Sequence, residues 1–346
     1  MGDELGDSAE RLFAAHSGKD LRRAAEAGSF PQTLWDAVEA AGFPAALLPE
    51  EAGGFGLTPA EALRLLRVAA AHALPIPLAE TMLAQWLCAK AGLAMPSGVL
   101  TVAPVRGGDR LALSRNDGGW RLAGTAKRVP FARNAAAIVA LAYGPDGPML
   151  ACAAPSGFRT EPGVNLAAEP RDTVVFDGPA PASPWPLAPA SLRAAGAALR
   201  TAQIAGALAR LLALCVAYAQ SRVQFGRPIG KFQAIQHALA VLAGQAAAAG
   251  AAADMAAEAL AGDLDPLVIG AAKARAGEAA GIAAGIAHQS HGAIGFTREY
   301  ELHYLTRRLW SWRDEFGNEA EWNALVGRAA LRAGADGLWP MIAGGA

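Results

Sequence analysis

Apolar and polar positions divide the chain into three textures. From residue 1 to about 95 the apolar residues fall three and four apart, the spacing of a single helix face. PQTLWDAVEAAGF, from Pro31, is one such stretch; TPAEALRLLRVAAAHAL is another, with Thr58 as N-cap and Pro59 at the first helical position. Between them LPEEAGGFGL, from Leu48, is a Gly-rich loop. From about 96 to 188 the pattern shortens. VLTVAPV, WRLAGTAKRVPF, AAIVALAYG, PMLACAAP and DTVVFDG are strand-length apolar runs set apart by Gly, Pro, Asp and Asn, the punctuation of a small β-barrel-like domain. GPAPASPWPLAPAS, from Gly178, reads as a Pro-rich connector that neither continues a sheet nor starts a helix before Ser191.

After Ser191 the pattern predicts long helices over about 191–222, 232–261, 266–291 and much of 299–335. Asp265 and Pro266 supply an N-cap and a first helical residue. Gly277, Gly281 and Gly285 leave one side of the third helix bare. Each interior glycine costs about 0.5–1 kcal/mol relative to Ala, so close packing on that side is the expected offset. The fold expected is mainly α with a small β-domain: an N-terminal helical domain (1–95), a middle β-domain (96–188) and a C-terminal four-helix bundle (189–346).

Composition narrows the function more than the fold. Thirty Lys and Arg against 31 Asp and Glu leave a net charge of −1, so no field of one sign invites nucleic acid or an anionic membrane. Cys88, Cys152 and Cys215 are far apart among apolar neighbours and read as reduced thiols packed as small hydrophobes, which fits a cytoplasmic protein. The acidic start MGDELGDSAERL lacks the apolar core of a signal peptide, and the longest apolar run of the large helices, cut by Arg210, reads as too short to span a bilayer.

One stretch breaks the Ala- and Leu-rich helical run. SRVQFGRPIGKFQ, Ser221–Gln233, places Arg222 where a helix ends, an aromatic at Phe225 and glycines at 226 and 230. A charge at a helix C-terminus can simply complement the dipole. A guanidinium is also a planar fork for pyrophosphate oxygens, Phe225 can stack on a flat ring, and the glycines allow close backbone approach. With HQSHGAIGFTREYELHYLTRRLW further on, this stretch resembles the C-terminal half of the acyl-CoA dehydrogenase family, and PEEAGGFGL resembles its N-terminal loop.

The resemblance implies that Arg222, Phe225, Gly226, Ile229 and Gln233, with Gln289, Gly292 and Ala293, grip the ADP half of an FAD held mainly by a neighbouring subunit. It implies an acyl-CoA substrate, α,β-dehydrogenation with hydride passing to FAD, a homo- or hetero-oligomer, and an electron acceptor such as an electron-transfer flavoprotein. Proton abstraction beside a thioester needs a positioned carboxylate. Counting from Gly295-Phe296, the family's usual base falls on Phe316 in RDEFGNEAEW. The other family location, the first bundle helix, is empty, because no Asp or Glu stands between Asp177 and Asp254. Glu315, one helical step of about 100° from Phe316, is the remaining candidate base, with Asp314 and Glu319 behind it; the bland alternative is a solvated acidic face. The flavin-holding segments of the family's β-domain are also reduced here, to TVAPVRGGD and to KRVPFARN, where Val129 and Phe131 replace an aromatic and a hydroxyl. Two readings follow: a self-sufficient dehydrogenase using Glu315, or a non-catalytic partner that completes another subunit's FAD site. A same-fold flavoprotein with other oxidation chemistry is a third.

Overall fold

The protein is described by a computed structural model covering residues 2–116 and 118–343. Five helices open it: α1 (Gly2–His16), α2 (Lys19–Glu26), α3 (Gln32–Ala40), α4 (Pro59–Ala71) and α5 (Leu78–Ala91). α4 begins as expected. Thr58 Oγ1 accepts from the Glu61 amide at 3.3 Å and the Glu61 carboxylate accepts from the Thr58 amide at 2.9 Å, a reciprocal capping box. α5 is apolar nearly all round and correspondingly buried, so its Glu80 and Thr81 are taken inward with it.

The middle domain is a mixed sheet of β1 (Leu100–Ala103), β2 (Arg110–Asn116), β3 (Gly119–Pro130), β4 (Ala137–Gly144), β5 (Gly147–Ala153), β6 (Phe158–Glu161), β7 (Arg171–Pro179) and β8 (Ala182–Pro184). Its order is β6-β7-β3-β2-β4-β5-β8, with β1 parallel to β4. Three strands depart from the sequence expectation. β6, an edge strand that alternates half-buried and exposed positions, carries no apolar run. β2 buries only Leu111 and Leu113, too little apolar signal to stand out. The Pro-rich connector does continue the sheet: Ala182, Ser183 and Pro184 pair with β5, at the edge position where a missing amide proton costs no ladder bond.

The bundle comprises α6 (Ser191–Ser221), α7 (Gln233–Ala261), α8 (Pro266–His291), α9 (Leu302–Trp312) and α10 (Glu319–Ala343), the last broken by a kink at Gly334, φ +69°. The single helix expected over 299–335 is thus two. Between them Phe316 sits at φ +55° and Gly317 at φ +103°, a left-handed turn no α-helix can contain. The glycine row of α8 also behaves differently from expectation. Gly277 and Gly281 admit the side chains of Glu319 and Arg313 rather than a helix backbone, and nothing approaches Gly285. The close backbone contact lies elsewhere: a Cβ on Gly206 of α6 would strike the Arg67 carbonyl of α4.

α6 and α7, at 31 and 29 residues, are long and apolar enough to cross a bilayer, so the run interrupted by Arg210 is not too short after all. In α6 that apolar window is 61% buried within the fold, as a core helix requires; in α7 it is 22% buried.

Candidate functional site

Two regions gather the functional candidates. The first is the end of the bundle. α6 stops at Ser221, the Arg222 amide closes its last turn onto Tyr218 O at 2.8 Å, and the chain reverses through a hairpin of β9 (Val223–Gln224) and β10 (Arg227–Pro228). At its tip Phe225 is 92% exposed with φ +52°, and Gly226 has φ +78°. A non-glycine residue there bears backbone strain, and its ring meets Phe232 edge-on with centroids 6.1 Å apart. Arg222 is exposed and forms no ion pair among the described residues, whereas Arg227 lies over the Phe232 ring at 4.2 Å. Ile229 is half-buried under the hairpin and Gln233, exposed, begins α7.

The last turn of α8 joins this surface. Tyr218 stacks on His291 at 4.3 Å, and its hydroxyl donates to the His291 carbonyl at 3.3 Å. That contact brings the two cofactor motifs to one end of the bundle: Gln289, Gly292 (φ +64°) and Ala293 are all exposed beside it. The pairing of Tyr218 with His291 escaped sequence reasoning, because their aromaticity gives no hint of which partner each will find.

The second region is the turn between α9 and α10. Phe316 occupies the position where the family's base is expected, is 3% exposed, and fills the notch left by Gly196, whose Cβ would collide with its ring. Arg200 lies 5.7 Å from that ring's centroid. Around them Ala79, Glu80, Leu83 and Leu199 leave no room for even one water molecule.

Glu315 does not share that niche, and the helical-step reasoning fails because the segment is a turn. It is neither solvated nor free: it is 4% exposed, with Oε1 accepting from Arg171 Nε at 2.7 Å and Oε2 from Arg200 Nε at 2.8 Å. Burial alone would raise its pKa, but Arg171 and Arg200 overrule that and hold it down at about 2. Asp314 is exposed, and Glu319 pairs with Arg313 at 2.9 Å.

The Glu315 ion pairs belong to a buried ladder crossing all three domains. Arg200 also reaches Glu80 at 2.5 Å, Arg171 reaches Glu169 at 3.0 Å, and Glu169 meets Arg308 at 3.0 Å. Three carboxylates thus balance three guanidiniums. One sequence signal could have pointed here: Arg200 stands mid-way along an apolar helix, and no acidic residue lies between Asp177 and Asp254, so a buried Arg200 needs its partner from another element. Lys273, buried in α8, clamps the turn from the other side by donating to Arg313 O at 2.7 Å and Gly317 O at 3.1 Å. Burial brings its pKa down to about 8.

In the β-domain, Val129 and Phe131 are buried, and the Phe131 ring lies beneath Arg171 at 5.7 Å. Neither offers a hydroxyl to a ligand. Beside them a polar hollow of about 340 Å3 is lined by the Val105–Gly108 loop, Arg128, Asp314, Glu315, Gly317, Asn318 and Glu321.

Comparison with known proteins agrees with this architecture. Residues 3–94 match the family model for the acyl-CoA dehydrogenase N-terminal domain, and residues 192–320 that for its C-terminal domain. The acyl-CoA dehydrogenase IpdE2 of Mycobacterium tuberculosis is 32% identical over 324 residues, covering 88% of this chain and 89% of that protein. Among solved structures, the Tcur3481–Tcur3483 steroid ACAD (a G363A variant) aligns with a TM-score of 0.89 and 28% identity over 96% of this chain and 98% of that one. The ChsE4–ChsE5 complex from Mycobacterium tuberculosis shares the fold, with a TM-score of 0.82 and 22% identity over 96% and 97% of the two chains. This chain belongs to the acyl-CoA dehydrogenase family, the FAD-dependent oxidoreductases that act on the CH–CH bond of acyl-CoA thioesters.

Proposed function

We propose that this chain is one subunit of a two-chain acyl-CoA dehydrogenase: its bundle end completes the FAD site of the neighbouring subunit, and the α-proton is abstracted on that partner. The observation that carries the reading is the α9–α10 turn. Phe316 stands at the base position in a niche with no space for an acyl chain, and Glu315 is locked between two guanidiniums. A general base works best with a pKa near the operating pH, and a carboxylate at about 2 is far from it. The solved relatives named above as Tcur3481–Tcur3483 and ChsE4–ChsE5 are themselves two-chain complexes.

The residues at the bundle end fit a dinucleotide approaching from outside. Arg222 presents an uncommitted fork for pyrophosphate, Phe225 an exposed face for stacking, and Gly292 and Ala293 open backbone. Gln289 can hydrogen-bond an adenine edge, while Gln233 and Ile229 support the hairpin. The β-domain of this chain fits a flavin ring poorly, since Val129 is committed to the core and Phe131 replaces a hydroxyl with an apolar ring. FAD, when bound, supplies the hydride acceptor for the dehydrogenation; this chain's part is to bind and orient it, and an electron-transfer flavoprotein takes the electrons onward.

The test is expression alone and together with a family member that carries a Tyr-Glu-Gly-Thr stretch. The chain alone is expected to show little acyl-CoA-dependent flavin bleaching, and the pair to co-purify with FAD and bleach. Steady turnover by the isolated chain would overturn the reading in favour of a self-sufficient enzyme.

A further inference from the structure

A cavity of about 220 Å3 lies where the three domains meet, between the end of α2 with its following loop, the β-domain segments 131–134 and 164–170, and α9. Phe30, Pro31, Pro75, Phe131, Val164 and Tyr304 make most of its wall apolar. Its charged groups are nearly all committed. Arg133 is held by Asp172 and by Gly163 O, Glu26 takes Arg307 at 2.6 Å, and Glu169 takes Asn165, Arg171 and Arg308.

Arg22 is the exception. It is 8% exposed, its Nε has no hydrogen-bond partner among the described residues, and its nearest carboxylate, Glu301, stands 3.9 Å away. Its guanidinium lies 5.2 Å from the centroid of the Tyr304 ring, and burial lowers its pKa. A buried cation without a hydrogen-bonded acceptor is a standing cost to the fold, and an anion entering the cavity would relieve it.

We propose that this cavity binds a small carboxylate with a compact apolar body, the carboxylate on Arg22 and the body against Phe30, Phe131 and Tyr304. Size sets the class: an apolar cavity of about 150 Å3 admits benzene, so this one takes a single ring with its substituent. The site shares no residue with the bundle end or with the Phe316 niche, and it does not depend on the partner-subunit reading. Its wall includes Glu169, the carboxylate through which the ladder reaches Arg308, so occupancy braces the contact among the three domains.

Benzoate is the probe, titrated into the purified protein in its own oligomer and followed by saturation-transfer NMR and thermal shift. Benzoate is expected to bind and to raise the melting temperature, with benzamide, the same shape without the charge, at least about tenfold weaker. Arg22→Gln removes the charge, and Ala25→Leu fills the cavity from α2 while leaving Arg22 in place; each is expected to abolish the benzoate signal. Should the Gln variant not fold, the Leu variant decides alone. Equal binding of benzamide, benzoate binding that survives the substitutions, or no benzoate signal up to about 10 mM, the weak end of measurable affinity, would each overturn the proposal.

Discussion

Glu315 shows how far one side chain's role depends on its neighbours. As a base it should be removable with a loss of activity and little loss of stability. As the centre of a buried ladder, its loss strands Arg171 and Arg200 without their shared counter-ion, and removing one partner of such a pair costs about 3–5 kcal/mol. Glu315→Gln is therefore expected to lower stability in urea by that amount, and near-wild-type stability would restore the catalytic assignment. The pH dependence carries the same signature. Because its folded pKa of about 2 lies below the ordinary 4.5, the contribution of Glu315 is complete above about pH 4.5 and is lost as the pH falls toward 2. That contribution is about 3 kcal/mol, so the Gln variant should show a flatter stability profile across this window. Arg222 is the opposite case, an exposed cation with nothing to lose within its own chain. Arg222→Ala in the two-chain complex is expected to weaken FAD retention by about 1.5–3 kcal/mol, the range for a hydrogen bond to a charged group. The melting temperature of the isolated chain should not move. Unchanged flavin-to-protein ratio in the complex would remove Arg222 from the cofactor surface.

Among the helices, glycine position decides how elements pack. Gly206 is where α6 meets the backbone of α4, and Gly285 on α8 faces open space. Gly206→Ala must push Arg67 away and is expected to destabilise by about 1–3 kcal/mol, the cost of overpacking. Gly285→Ala gains helix propensity with nothing to strike and should stabilise the isolated chain by about 0.5–1 kcal/mol. Chemical denaturation of the two variants checks both signs, and equal effects would mean that the α4–α6 contact is not tight. The α9–α10 turn is an element in its own right: Lys273 holds its carbonyls, Gly317 permits its reversal, and Phe316 plugs the space beneath α5 and α6.

At the scale of the whole molecule, the chain leaves one end of the bundle and one helix open to a partner. The space under Phe316 is filled and the ladder is charge-balanced, yet the bundle end carries a strained, exposed Phe225 and an Arg222 with no ion pair among the described residues. α7 adds exposed Val241 and Met255 on a helix whose apolar window is mostly outside the core. Surfaces of that kind are energetically sensible when another subunit covers them. Light scattering of the co-expressed pair is accordingly expected to give a stable oligomer at micromolar concentration, whereas a monomer that retains its FAD would contradict the arrangement.

The sequence by itself determined the zoning into helices, sheet and bundle, the start of α4, the bounds of α6, α7 and α8, and the two motifs that mark the family. Those features are local: Thr58 caps the residue three places on, Pro266 starts a helix, and Arg222 ends one, whatever surrounds them. Counting from Gly295-Phe296 puts the family's expected base position on Phe316. Strand β8 was hidden because its prolines obey edge rules that appear only once β5 is beside it. The break after Trp312 was hidden because Phe316 adopts a left-handed backbone that tertiary packing on Gly196 holds in place. The meeting of Glu315 with Arg171 and Arg200, from positions more than a hundred residues away, could be settled only by the fold. A carboxylate's chemistry is set by the charges within a few ångströms of it, and those neighbours are not its neighbours in the chain.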